Sequence, residues 1–381
     1  MSHIRLYRFI SIITLLCFLV FEYYSMSNIA DMGDSSLRSF AKLIIELIAI
    51  VFLISGRGDT NTRFWVFWMI WNVFLIILYF DNASGISSLV SSWFPQAAFV
   101  VGYICNKRYP TIKHYLKIAV IPLLLIAIYF ILNDPLNVFK ADGEQGVDNL
   151  IFYIVCIVPF IMLIEKDLYK GILLVICVIM AVNSLKRNAM LMTAVFVLLY
   201  TFSVLRKTKG LKIKNMVIIG ALFFAGYYFL INNMAGSLEQ SVMRFEAMQD
   251  DGGSGRTLVW KHSIDALSRN DLVSWIIGHG HNSTMSVARH TSAHNDFLTI
   301  LIEQGIVGLL FYLTFVIKLF KTTWQVFKRG GYGVLSLLCI CVIVLFMGML
   351  SNLVPLATYF AFITFAYGII ISENKRMNML R

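Results

Sequence analysis

Charge is scarce in this chain. Asp, Glu, Lys and Arg make up 14% of its 381 residues, where soluble domains carry about 25%. That is too little charge to cover a water-facing surface, and it excludes a cytosolic enzyme and a disordered chain. Cysteine is sparse as well. Cys17, Cys105, Cys156, Cys177, Cys339 and Cys341 lie within or beside apolar runs, without a CxxC pair. A disulfide framework and a metal knuckle are thereby excluded, and the thiols read as small buried hydrophobes. There is no HExxH pair, internal repeat or low-complexity tract. Arg5 and Arg8 precede an apolar run from Phe9 to Phe21 without a small-x-small cleavage site. This stretch reads as an uncleaved first helix, not a signal peptide.

Apolar residues, by contrast, reach 59% and gather in stretches of bilayer length. The expected fold is an all-α polytopic membrane protein with about twelve transmembrane helices. The spans fall near 7–24, 38–54, 64–80, 86–104, 115–132, 150–164, 169–185, 189–205, 215–234, 297–320, 334–350 and 353–371. Three regions follow: helices one to nine over 1–234, a long loop over 235–296, and the last three helices with a tail over 297–381. The net charge of +11 bears on topology, not on nucleic acid. With the N-terminus in the cytoplasm, 22 of the 32 basic residues fall on the cytoplasmic side. Of the remaining ten, five sit in the long loop, which the positive-inside rule discounts. Both termini are then cytoplasmic and the long loop is external.

That loop holds five of the seven histidines: His262, His279, His281, His290 and His294. Their spacing matches no strong zinc template, and no metal or other cofactor is expected. The stretch 254–269 carries Leu258, Val259, Ala266 and Leu267 with Trp260 and Ile264 beside them. It predicts an amphipathic interfacial helix capped by Ser254. Arg256 in its first turn opposes the helix dipole, and a residue so placed wants an anionic partner. Lys186 and Arg187 break the charge rule at the external side of a turn between spans. They read as a cationic site for an anionic lipid headgroup or as snorkelling side chains. His294 opens the tenth span, whose positive end should lower its pKa and keep it a neutral general base. At about 100° per residue, Gly305 and Gly308 fall near the face of His294 and would admit a neighbouring span, whereas Glu303 faces away. Only Glu46 and Glu303 look deeply embedded in spans.

These elements in this order, Lys186-Arg187-Asn188-Ala189, Ser254-Gly255-Arg256-x3-Trp260, Gly278-His279-Gly280 and His294-Asn295-x9-Gly305-x2-Gly308, resemble the O-antigen ligase/polymerase superfamily. The resemblance covers residues 180–320 well and the first half by topology. Two departures mark it: Leu185-Lys186 stand where the family has a Ser before the arginine, and Asn188 stands in place of its Gly. The resemblance implies a metal-independent, GT-C-like glycosyltransferase at the periplasmic face of the bacterial inner membrane. Its donor would be an oligosaccharide on undecaprenyl pyrophosphate, and a chain-length regulator would be a partner. His294 would act as general base, with Arg187 and Arg256 holding the pyrophosphate and Lys186, His279 and Asn295 binding substrate. A polymerase of repeat units is favoured over a ligase to lipid A-core by the context of His294. A transporter or flippase stays open, although two similar six-span halves are not visible.

Overall fold

The computed structural model describes residues 2–31, 36–79, 86–108, 111–133, 149–207, 256–288 and 293–377, with isolated positions between 220 and 246. Every regular element among them is helical. The membrane-region helices are α1 (Ser2–Asp31), α2 (Ser36–Ile54), α3 (Thr60–Leu78), α4 (Ile86–Arg108), α5 (Thr111–Asn133), α6 (Ile151–Ile161), α7 (Asp167–Asn183) and α8 (Arg187–Lys207). Three short helices follow in the loop: α9 (Arg256–Leu267), α10 (Leu272–Ile277) and α11 (Thr284–Val287). The chain returns through α12 (Asp296–Arg329), α13 (Val334–Leu350) and α14 (Ala357–Arg376). Eleven of the twelve expected spans thus coincide with helices; the ninth, 215–234, lies largely outside the described residues.

Five segments are long and apolar enough to cross a membrane by length and composition: Arg5–Ser27, Thr60–Leu78, Tyr115–Asn133, Arg187–Arg206 and Asp296–Arg329. Their outer faces carry bare apolar side chains such as Ile70, Ile77, Ile121, Leu125 and Leu198. Water would not tolerate so continuous a belt. This is a multi-pass membrane protein.

The centre is built from α4, α6 and α14. Every residue of α6 is buried, as is every residue of α14 from Tyr359 to Asn374. Small residues bring α4 and α14 into close contact. A Cβ on Gly102 would sit 2.8 Å from the Phe365 carbonyl oxygen, and one on Gly368 would sit 2.6 Å from that of Phe99. Backbones approach this closely in membranes because lipid offers no hydrophobic drive, leaving close packing to hold helices together. Trp65 extends the seam, with its ring centroid 4.7 Å from Phe99 and 5.5 Å from Phe315.

Embedded charge is more extensive than the sequence suggests. Glu46 and Glu303 are buried as expected, but so is Glu22, together with Lys42, Lys170 and Arg187. Glu22 escaped notice because it lies in the polar stretch that closes the first apolar run. At one end of the bundle Asp59 caps α3, accepting from the Asn61 amide, and pairs with Lys107 at 2.9 Å. The opposite end holds the candidate site.

Candidate active site

The site is assembled at the carboxyl end of α13. The last carbonyls of any helix lack intrahelical donors, and two asparagine side chains supply them here. Asn188 donates its Nδ2 to the Leu350 carbonyl at 2.9 Å, and Asn295 donates its Nδ2 to the Met349 carbonyl at 3.3 Å. Asn188 follows Lys186 and Arg187, and Asn295 follows His294. Two segments more than a hundred positions apart are thus fixed to consecutive carbonyls of one helix end. Asn188, a departure from the family pattern, has a definite job in this frame.

Asp296 completes the frame. Its buried carboxylate accepts from the Leu353 amide at 2.9 Å, the Val354 amide at 3.3 Å and the Tyr312 hydroxyl at 3.3 Å. The α13–α14 connection is thereby tied to the first turn of α12. A carboxylate so engaged is a strut, not an alternative proton acceptor. Removing it in Asp296→Ala strands two buried amides and a phenol, and a buried polar group left unpaired costs about 1–3 kcal/mol. We expect roughly 3–5 kcal/mol of lost stability, and less for Asp296→Asn, which keeps an acceptor oxygen. Thermal unfolding in detergent measures both; equal melting points for wild type and Asp296→Ala would refute the role.

Asn295 is the N-cap of α12, its Oδ1 accepting from the Leu298 amide. His294 precedes it in left-handed backbone, φ 46°, a conformation that costs a non-glycine residue about 1–2 kcal/mol. Leu185, just before Lys186, is held the same way at φ 53°. Such strain persists only where the surroundings over-determine it, commonly at functional sites. Part of the His294 ring reaches solvent. Burial of the remainder, then the positive charges of Lys186 and Arg256, hold its pKa below the ordinary 6.5. The direction matches expectation, but the cause differs: cations from two other segments act where the helix end was expected to.

Lys186, Arg256 and His294 therefore come together. Lys186 also donates to Asn149 Oδ1 at 2.6 Å and lies over the Phe152 ring. Arg187 is the first residue of α8 and only 7% exposed, so it does not snorkel. Arg256 opens α9, which packs against α12; Ser254 and the glycines before it lie outside the described residues. The predicted stripe on this helix does not hold. From Leu258 to Ile264 the apolar side chains spread over about 240°. Leu258 and Ile264 are exposed, while Ser263 is buried beside Ala266 and Leu267.

The helical face predicted for Gly305 also fails, for an informative reason. Gly305 has φ 65° and ψ −166°, breaking α12 in two. A Cβ there would strike the Ile276 carbonyl, and one on Gly278 would strike the Glu303 carbonyl. The close neighbour is thus the end of α10 and the turn after it, not a span. The break leaves carbonyls of the preceding turn without donors. The His279 amide takes that of Ile302 at 2.8 Å and the Gly280 amide that of Glu303 at 2.9 Å. Tyr79 at the end of α3 donates to the Gly278 carbonyl at 2.6 Å. Glu303 accepts from the Thr284 hydroxyl at 2.8 Å.

His279 is half-buried, with Nε2 2.9 Å from Asn270 Oδ1. Burial, partly offset by Asp271, keeps its pKa below 6.5. Burial holds His281 down to about 4. His290 lies outside the described residues. Among the described residues no three His, Cys, Asp or Glu side chains converge in metal-binding geometry. Signals that sequence reasoning missed were Asn188 and the Met349–Val354 segment. A polar stop between two apolar runs, Ser351-Asn352, was the visible hint for the latter.

Residues 172–313 match the family model described as O-antigen ligase. The matched stretch contains Lys186, Arg187, Arg256, His279 and His294. The match supports the likeness to the O-antigen ligase/polymerase superfamily, a group of glycosyl-transferring enzymes, over part of the chain, and does not separate the two branches. No curated protein matches the chain.

Proposed function

We propose that this protein is a polymerase of lipid-linked repeat units, working at the periplasmic face of the bacterial inner membrane with both termini in the cytoplasm. The observation that carries this reading is the convergence of Lys186, Arg256 and His294 on the frame at the end of α13. The donor is an oligosaccharide on undecaprenyl pyrophosphate, and the acceptor is a hydroxyl of another lipid-linked unit. His294 takes the hydroxyl proton as the acceptor oxygen bonds to the anomeric carbon. The bond from that carbon to the pyrophosphate breaks, and its electron pair leaves with the phosphate oxygen. Arg187 and Arg256 balance the charge that develops there, with Lys186 adding a third cation. His279 acts on this site through the loop it organises, and Asn295 by fixing the start of α12. A chain-length regulator would act from outside this site.

Transfer by purified protein, with lipid-linked repeat units as substrate and lipid A-core offered in parallel, tests the assignment. A ladder of lengthening lipid-linked glycans, insensitive to chelator, is the expected product. Glycan appearing only on lipid A-core would identify a ligase instead. In the same assay Arg256→Lys should lose most activity despite keeping its charge, since a point ammonium cannot match a planar bidentate contact to phosphate. Full ladders from that variant would remove the bidentate role.

A further inference from the structure

A second polar cavity lies on another side of the first half of α12. It holds about 250 Å³, just below the size of drug-sized ligand pockets, and so is scaled to a small ring and not to a lipid tail. Lys186, Arg187, Arg256 and His294 are absent from its lining, yet Thr299 and Glu303 of α12 and His281 of the adjoining loop contribute to it.

Its chemistry is specific. Trp68 and Phe360 give it an apolar wall, their rings edge to face at 6.0 Å. The Trp68 indole is oriented by donating to Gln304 Oε1 at 3.4 Å. Above this wall stand Asn72 and Gln96, 1% and 3% exposed. The carbonyl oxygens of both side chains have no hydrogen-bond donor among the described residues, nor does His281 Nε2 have a partner. Asn72 spends its amide nitrogen on the Ser92 carbonyl at 3.4 Å. Buried amides are costly to leave unpaired, and two around one cavity favour a guest that donates, whether a water or a ligand hydroxyl. Arg38 and Lys42 line the cavity as well, but a phosphate only accepts and would leave both amide oxygens unpaired. A hydroxyl donates once and accepts twice. It can give its proton to Asn72 or Gln96 while accepting from Lys42, whose ammonium reaches this lining and donates to Ser91 at 3.1 Å. Hydroxyls set around a ring with apolar C–H faces are the chemistry of a sugar.

We infer that this cavity binds a sugar ring of the acceptor glycan, separate from the cations proposed for the donor pyrophosphate. The assignment to the acceptor rests on the transferase reading above; the assignment to a sugar does not. The double variant Asn72→Leu/Gln96→Leu removes both unpaired oxygens and gives up the 3.4 Å Asn72–Ser92 bond, and its melting temperature in detergent reads whether the fold is kept.

Binding of the free repeat-unit oligosaccharide, released from its lipid, is read by saturation-transfer NMR on protein in nanodiscs. Wild type and His294→Ala should bind it equally. The double variant should bind at least about tenfold more weakly, the loss of one to two neutral hydrogen bonds. In single-round transfer the double variant should raise the acceptor KM by a similar factor and leave kcat within about threefold. Unchanged binding by a well-folded double variant, or no binding by wild type, would overturn the sugar site while leaving the His294 mechanism standing. Full transfer by His294→Ala and Arg256→Lys, alongside lost sugar binding in the double variant, would retain the sugar site and remove the mechanism.

Discussion

Replacing His294 with alanine is expected to slow glycosyl transfer by about 10²–10⁴-fold, the usual contribution of a general base, with binding of the lipid-linked donor retained. The retention follows because the proposed donor contacts, Arg187 and Arg256, lie on other segments. The pH profile supplies a second readout. The imidazole works when neutral, and burial, Lys186 and Arg256 all hold its pKa below 6.5. The rate should therefore be flat near neutrality and fall only as pH drops through that lowered value. Lys186→Met removes one of the depressing charges, so its acid limb should move up towards 6.5. A merely structural histidine would leave that limb where it was. A folded His294→Ala protein with near-normal rate would end the assignment. Asp296 could not take over, being committed to Leu353, Val354 and Tyr312, which leaves Asp265 of α9 as the carboxylate to test.

The largest structural effect is expected from Gly278→Val or Gly305→Val. Both glycines combine positive φ, 75° and 65°, with ψ of −160° and −166°, a region essentially reserved for glycine and least open to a β-branched residue. Each added Cβ also meets backbone of the opposing segment, Glu303 in one case and Ile276 in the other. Backbone cannot rotate away as a side chain can. The two segments must part, releasing the His279–Ile302 and Gly280–Glu303 hydrogen bonds. We expect loss of folded protein, or a loop open to protease, and transfer below detection. Gly330 has φ 63° but nothing within 4 Å of an added Cβ, so Gly330→Ala should keep the fold and most activity. Limited proteolysis separates the cases: similar digestion patterns for the three variants would contradict the clasp.

The sequence made the helices legible because apolar runs of bilayer length have few other uses. It made the site legible in part. Lys186, Arg256 and His294 each defied local rules of charge or context, and the structure brings these three together. What joins them was not readable. The Asn188 and Asn295 bonds to α13, and the hold of Asp296 on 353–354, are contacts across long separations that no local spacing encodes. The error at Gly305 was of another kind. Counting 100° per residue assumes an unbroken helix, and a glycine within an apolar run gives no sign that its backbone leaves helical space. The stripe on α9 failed because Leu258 and Ile264 are exposed while Ser263 is buried, so apolar spacing did not mark the packed face.

The break at Gly305 also changes what the tenth span has to do. At 1.5 Å per residue, the 34 residues of α12 would measure about 51 Å unbroken, against a hydrocarbon core of about 30 Å. Beyond the break, residues 306–329 make about 36 Å, which fits that thickness with a moderate tilt. The remaining residues, 296–304, form an arm of about 13 Å. That arm takes its direction from the Gly278 loop and from 353–354, not from the long rod below it. A thicker or thinner bilayer then alters the lean of the rod, and the imidazole keeps its aim.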